Sequence, residues 1–491
     1  MIDLVVVSVC ASMPQLASTL ERFARAGSLS WLSGGVPMPA TCRPQAPAMD
    51  SLNDLPAGDR LVLLVAPNSE ALPDSGHDRR VLRVLERSAS AGCDPATTLI
   101  IDDYAQLELL ADISGYPNLT RLVGSHGKTA ADYRADVLTR YAAALDALRA
   151  QRRAVVFGAQ RLGEAVAESL QSAGYSVAAF VDNGTSKHGS RIRDVVVQPL
   201  SALDDKTLPV VIATTRFTSS ITRQLEGEGF SHILPYAVMS LVDPERYPDE
   251  IPYVGIQQDF AEHVAQYLGL FIALSDEKSR RVLDGLIGYR LDYDALQADS
   301  VADEYARQYF DQQLIAYNGQ DVFVDLGGYD GDTAEKFIAY SDGAYAKLFV
   351  FEPDTNLLQR AAKRLAPYQN VELVPAGAYS RDGELRFAAS GRTNGSICEA
   401  GEIVIPVRSL DSAFAEAPTL IKMDIEGAET EALRGAAHLL RSAKPRLAIA
   451  AYHYAPDLWR LVDVVREINP SYRFYLRHYS ETGLESVIYA V

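Results

Sequence analysis

The stretch DLGGYDGDT, Asp325 to Thr333, decides the fold of the C-terminal part of this 491-residue chain. It follows the apolar run Val322, Phe323, Val324 and precedes a helical pattern, so it reads as strand, glycine turn, helix. Gly327 and Gly328 permit a tight turn, and Gly331 permits close approach of the backbone to a ligand. A second strand, KLFVFEP, ends in Glu352. In Rossmann-like sheets an acid at that place accepts hydrogen bonds from ribose hydroxyls. The glycines alone would suit any tight βα turn. Glu352 and the carboxylates of the turn, Asp325, Asp330 and Asp332, tip the balance. So many acids repel a pyrophosphate and suit a cationic, phosphate-free nucleoside cofactor such as S-adenosylmethionine.

Further along come VELVPAGAYS, TLIKMDIEGAE (Thr419 to Glu429) and RLAIAAYHY (Arg446 to Tyr454). With DGDT, FEPD, KMDIEGAE and the closing YLRHYSETGLESVIYA in this order, roughly the last half of the chain resembles the FkbM family of S-adenosylmethionine-dependent O-methyltransferases. The likeness is greatest from Asp321 to Val491. The family usually carries Gly-Ala where this chain has Gly327-Gly328. The resemblance implies a class I methyltransferase sheet of seven strands, with candidates at 321–326, 347–352, 371–375, 419–424, 446–452, 473–479 and 485–490. The cofactor is then expected against Asp325, Gly327, Gly328, Tyr329, Gly331, Thr333, Glu352 and Pro353. Ligands of such sheets sit beyond the carboxyl ends of the strands. Asp325, Glu352, Asp424 and His453 all fall at such ends, which argues for a single site.

Methyl transfer to an alcohol needs donor and acceptor aligned, and it benefits from a base that takes the hydroxyl proton. His453 has the intrinsic pKa for that task, and Asp424 and Glu426 stand near it in the expected sheet. Glu429 reads as an acid favouring a helix N-terminus, and Lys422 as a snorkelling or paired cation. Two other readings stay open. His453 could be a hydrogen-bonded core histidine, or Asp424, Glu426 and His453 could be oxygen and nitrogen ligands for Mg²⁺ or Mn²⁺. The expected activity is O-methylation of a sugar hydroxyl in a glycan, glycolipid or glycosylated metabolite. The alternatives are a non-sugar natural product as acceptor, or a non-catalytic scaffold with a retired methyltransferase fold.

The rest of the chain reads as further Rossmann-like α/β units, making the whole a multi-domain α/β protein. Residues 1–128 form an α/β domain without a chemical motif. Strands are expected at Val5 to Cys10, Arg60 to Val65 and Thr98 to Ile101, helices at Ala17 to Ala26 and Val81 to Ser90, and a loop over the proline-rich GGVPMPATCRPQAPAMD. In residues 129–239 a helix from about Ala130 to Arg149 leads into AVVFGAQRLGEAVAESL. SVAAFVDN, ending in Asp182, and LPVVIATT follow, a βαβ pattern. Through VDNGTSKHGSRIRDVVVQPLSAL this part resembles small sugar-nucleotide-associated domains. Gly158 and Gly163 hold the outer positions of GxGxxG, but Gln160 holds the middle one and crowds the pyrophosphate path. NAD binding is therefore not expected. Packing, or a sugar nucleotide held differently, is. Residues 240–318 read as a helical connector covering the acceptor, where Tyr305, Tyr309 and Phe310 either stack on a sugar or pack in the core. Residues 319–491 form the methyltransferase-like domain.

A formal net charge of −18 argues against nucleic acid or an anionic membrane as partner. No segment reaches the roughly 18 apolar residues of a membrane span. The start, MIDLVVVSVCA, lacks the basic residues of a signal peptide. Cys10, Cys42, Cys93 and Cys398 are scattered, which fits a reducing cytoplasm. The expected partner is a saccharide or small-molecule acceptor, with a homo-oligomer left open.

Overall fold

The computed structural model describes residues 2–6, 23, 29–32, 48–49, 61–65, 81–86, 98–101, 104–247, 254–387, 403–414 and 416–491. The four cysteines, the expected helix before Ala26 (Phe23 apart) and most of the proline-rich loop lie outside these. The chain forms two compact units. One comprises residues 1–272, 281–302 and 480–483, the other residues 273–280, 303–479 and 484–491. No helix among the described residues is long and apolar enough to cross a membrane.

The first unit contains two six-stranded sheets. In the first, all strands run parallel, in the order Ala48–Met49, Leu29–Leu32, Ile2–Val6, Leu61–Val65, Val81–Glu86, Thr98–Ile101. The helix expected over Val81 to Ser90 is thus a strand at Val81–Glu86. Its apolar residues Val81, Leu82, Val84 and Leu85 suit either period. Ladder pairing with Leu61–Val65 on one side and Thr98–Ile101 on the other decides for strand. The second sheet runs Ile233–Pro235, Val210–Ile212, Arg153–Phe157, Ser176–Val181, Val195–Gln198, Arg191–Ile192, with only the last strand antiparallel. The single helix expected from Ala130 to Arg149 is two, Ala130–Arg140 and Ala142–Gln151, interrupted at Tyr141. Thr129 starts the first with a capping box, its hydroxyl accepting from the Asp132 N–H while the Asp132 carboxylate accepts from the Thr129 N–H.

The second unit is built on a seven-stranded sheet: β1 Val322–Leu326, β2 Lys347–Phe351, β3 Val371–Val374, β4 Leu420–Met423, β5 Arg446–Ala450, β6 Phe474–His478 and β7 Ser486–Ala490. The spatial order is β3-β2-β1-β4-β5-β7-β6. β7 alone runs against the direction of the other six strands, pairing antiparallel with β5 and β6. Both faces of a parallel sheet are covered by crossover helices, so its strands read as continuous apolar runs. β4 is buried at all four residues and β5 at four of its five. On one face Phe323 and Phe337 stack with ring centres 4.3 Å apart, and Phe310 and Tyr340 pack beside them. Chain order reverses between β1 and β4, and a crevice opens beyond the carboxyl ends of strands at such a switch point.

Candidate active site

The glycine turn after β1 is shaped mainly by its own packing. A Cβ on Gly327, where φ is +75°, would lie 1.9 Å from the Asp424 carbonyl oxygen, so only glycine lets β1 and β4 approach this closely. A Cβ on Gly328 would meet Val350 Cγ1 at 2.2 Å. A Cβ on Gly331, where φ is +86°, would lie 3.2 Å from the Cα of Ala361 on the helix Thr355–Leu365, so packing also requires glycine there. Gly331 precedes the helix Asp332–Tyr340 and adopts a left-handed conformation there. Thr333 lies in the first turn of that helix.

The acids of the turn are largely neutralised. Asp325 is fully buried with Lys422 Nζ 2.9 Å from its Oδ1, and Lys422 also donates to the Gly327 carbonyl at 2.8 Å. Burial opposes the charge on Lys422, but Asp325 and Asp424 overcome it and raise its pKa. Asp330 takes Arg360 at 3.1 Å and Arg364 at 3.0 Å. The charge argument from three carboxylates therefore reduces to Asp332, which is exposed and makes no ion pair among the described residues.

Glu352 is buried just beyond the end of β2. Its Oε2 accepts from the Tyr329 N–H at 3.0 Å, and its Oε1 from the Asp354 N–H at 2.9 Å. Burial raises its pKa against these two donors. Each oxygen keeps a second lone pair, so the carboxylate can still accept from a diol. Held by two backbone N–H groups, without an ion pair among the described residues, and flanked by Pro353 and the exposed ring of Tyr329, Glu352 has the chemistry to accept from the ribose of a cationic nucleoside.

A second constellation lies beyond β4 and β5. Asp424 Oδ2 accepts from the Tyr309 hydroxyl at 2.9 Å, and its Oδ1 from the Tyr452 hydroxyl at 3.1 Å. His453 is nearly buried. Its Nε2 lies 3.3 Å from Asp424 Oδ1 and 3.6 Å from Glu426 Oε2, while its Nδ1 lies 3.2 Å from Glu429 Oε1. Burial pulls the imidazole pKa down, but Glu429 and Asp424 outweigh it and hold it well above its usual value. His453 also draws the Asp424 pKa down, against burial. The chain reaches this arrangement through backbone strain. Glu426, at φ +57°, and Gly427, at +96°, are consecutively left-handed. A Cβ on Gly427 would sit 2.3 Å from the Tyr454 ring.

The structure thus brings Asp424, Glu426 and His453 together, as the sequence reading expects, with Glu426 half-exposed at the rim. Three participants have roles that the sequence reading does not anticipate. Glu429, expected to serve a helix dipole, is 1% exposed, faces His453 and accepts the Ile425 N–H at 2.9 Å. Tyr452 has no role in that reading, though its place beside His453 in YHY is visible in the sequence. Tyr309 is expected there only as a stacking or core residue. Of its companions, Phe310 belongs to the core and Tyr305 is 63% exposed.

Asp424, Glu429 and His453, rather than the expected set with Glu426, bring one oxygen or nitrogen each within 4.8 Å of one another. Both ring nitrogens of His453 face carboxylates, which favours the imidazolium, so a metal on either nitrogen would have to displace that proton.

Residues 325–477 match the Methyltransferase FkbM domain. The sequence matches no curated protein. Among solved structures, the methyltransferase FkbM from Methylobacillus flagellatus KT is 22% identical, aligning over 73% of this chain and 97% of its own with a TM-score of 0.58. Aeropyrum pernix fibrillarin, solved with S-adenosylmethionine, is 14% identical over 36% of this chain and 67% of its own, at a TM-score of 0.25. Precorrin-6y C5,15-methyltransferase from Geobacter metallireducens GS-15 is 14% identical over 38% and 86%, also at 0.25. The matched span holds both the glycine turn with Glu352 and the Asp424–His453 cluster, and the chain, bearing an FkbM methyltransferase domain, is an S-adenosylmethionine-dependent methyltransferase.

Proposed function

We propose that the enzyme methylates a hydroxyl of a sugar, in a glycan, a glycolipid or a glycosylated metabolite, with His453 as the proton acceptor. The observation that carries this reading is the constellation of Tyr309, Asp424, Tyr452, His453, Glu426 and Glu429 beyond β4 and β5, next to the switch point where the cofactor is expected. Carboxylates and phenols are the groups that recognise a polyol, since each can accept or donate one hydrogen bond to a ring hydroxyl. Half-exposed Glu426 is placed to receive the acceptor, and Asp424, fixed by two tyrosines, orients Nε2 of His453.

S-adenosylmethionine, when bound, supplies an electrophilic methyl group to the hydroxyl oxygen. We assign its ribose to Glu352 and its methionine part to the backbone of Gly327–Gly331, with Asp325 acting through Lys422. The proton of the hydroxyl goes to Nε2 of His453, and Glu429 at Nδ1 stabilises the imidazolium that results. Because His453 is held protonated near neutrality, only the minor neutral form can accept a proton. The rate should therefore rise with pH well beyond the ordinary histidine range.

The test is methyl transfer by wild type and His453→Ala to a panel of glycosides and of non-sugar phenols and alcohols. Turnover confined to glycosides, lost in His453→Ala with affinity for S-adenosylhomocysteine retained, supports the proposal. Near-normal turnover in the variant removes His453 as base. Turnover only on non-sugar hydroxyls replaces the acceptor class. Activity abolished by a chelator and restored by Mg²⁺ would overturn the assignment of His453 as the base and make it a metal ligand.

A further inference from the structure

A cavity of about 580 Å³ lies in the first unit, at the carboxyl ends of Arg153–Phe157, Ser176–Val181 and Val210–Ile212. The methyltransferase chemistry makes no use of it. The glycine turn that leads into it is committed to packing. A Cβ on Gly158, at φ +120°, would lie 2.7 Å from the Ala213 carbonyl oxygen, and one on Gly163 would lie 1.8 Å from the Gly158 carbonyl oxygen. Gln160, exposed, stands between them at the start of the 12-residue helix Arg161–Ser172 and provides no side-chain cap, so that N-terminus keeps free N–H donors. Asp182, which would hold a ribose in a dinucleotide site, is already engaged. It accepts from the Ala159 and Gly184 N–H groups and from Lys187 Nζ, each at 2.8 Å. Burial opposes ionisation of Asp182, but these donors win and lower its pKa.

What remains toward the cavity is cationic. Arg161 and Arg216 line it, and neither makes a side-chain hydrogen bond or ion pair among the described residues. On the opposite wall the helix Thr218–Gly227 already shows its preference for an anion. There Glu481, of the same unit, receives the Ser220 N–H at 2.6 Å and its hydroxyl at 3.2 Å. Apolar surface completes the cavity: Leu162 and Ile221 line it, and Phe217, although aromatic, is 59% exposed at its edge. An exposed ring beside two uncommitted guanidinium groups and an open helix N-terminus matches a planar base joined to a phosphate.

We propose that this cavity binds a mononucleotide-class ligand, a nucleoside diphosphate or a molecule bearing one. Its phosphates lie at the start of Arg161–Ser172 between Arg161 and Arg216, and its base on Phe217. The lack of a free ribose-binding acid and the side chain of Gln160 select against a dinucleotide.

The experiment is calorimetry on the full chain with UDP, ADP, inorganic pyrophosphate and NAD⁺ as probes, at low and moderate salt. UDP or ADP should bind saturably, more weakly as salt rises, and at least tenfold more weakly in Arg161→Ala and in Arg216→Ala. Phe217→Ala should weaken the nucleotide while leaving pyrophosphate unchanged. Unchanged melting temperature and S-adenosylhomocysteine affinity show that the variants are folded. No saturable binding of either nucleotide at millimolar concentration would overturn the proposal. So would equal affinity in both arginine variants, or NAD⁺ binding more tightly than UDP and ADP.

Discussion

Replacing Glu429 by glutamine should lower the pKa of His453 and change the pH dependence of the enzyme in a predictable direction. The two groups are buried, with Glu429 Oε1 3.2 Å from His453 Nδ1. Unit charges at that distance attract by about 5 kcal/mol at an effective dielectric constant of ~20. Opposite charges at such range shift pKa values by about 1–3 units in practice. The amide of the variant keeps an oxygen able to accept the Ile425 N–H, so the turn after β4 should survive the substitution. The assay is an NMR titration of the His453 imidazole in wild type and Glu429→Gln, which needs no acceptor. A fall in the imidazole pKa is expected, since Glu429 is the largest influence raising it. In the methyl-transfer assay the same variant should turn over faster near pH 7, where more His453 is neutral, and reach a lower plateau at high pH because the base is weaker. An unchanged His453 titration would refute the claim that Glu429 holds the imidazolium.

Two further outcomes follow from the same geometry. Glu352→Ala removes a buried acceptor of charge-assisted hydrogen bonds, so calorimetry should show affinity for S-adenosylhomocysteine reduced by about 1.5–3 kcal/mol, roughly 10- to 150-fold; undiminished affinity in a folded variant would remove Glu352 from the cofactor site. Asp457 is buried near Glu429, and its pKa is pushed up to about 6, from 3.8. A raised carboxyl favours the folded state while protonated, so stability should be highest below about pH 4 as far as this group is concerned and decline by up to about 3 kcal/mol as pH rises through about 6. Asp457→Asn should flatten that part of a denaturant-midpoint-against-pH curve, and an identical curve would contradict the assignment.

The strands of the methyltransferase sheet are legible because a buried parallel sheet writes itself as short apolar runs ended by glycine turns, as in VFVDLGG and LIKMDIEG. Val81–Glu86 is not, since its pattern suits helix and strand alike and only its two neighbours across the ladder separate them. The positions of Asp325 and Glu352 at strand ends are readable, but not their partners. Lys422 meets Asp325 from a neighbouring strand nearly 100 residues away in sequence, and nothing local announces that pairing. The same holds for Tyr309, which reaches Asp424 across 115 residues. Glu429 misleads for a different reason: an acid at a helix start has a sufficient local explanation, and burial against His453 becomes visible only in three dimensions.

The central claim is that this chain places a methyl group on a sugar hydroxyl. The most direct measurement is mass spectrometry of glycans and glycosylated metabolites from source cells with and without the protein, followed by complementation with wild type and with His453→Ala. The account predicts that one glycan or glycoconjugate species loses a single methyl group when the protein is absent. Wild type should restore it, and His453→Ala should not. Unchanged sugars together with a missing methyl group on a non-glycosylated metabolite, or full restoration by His453→Ala, would contradict it.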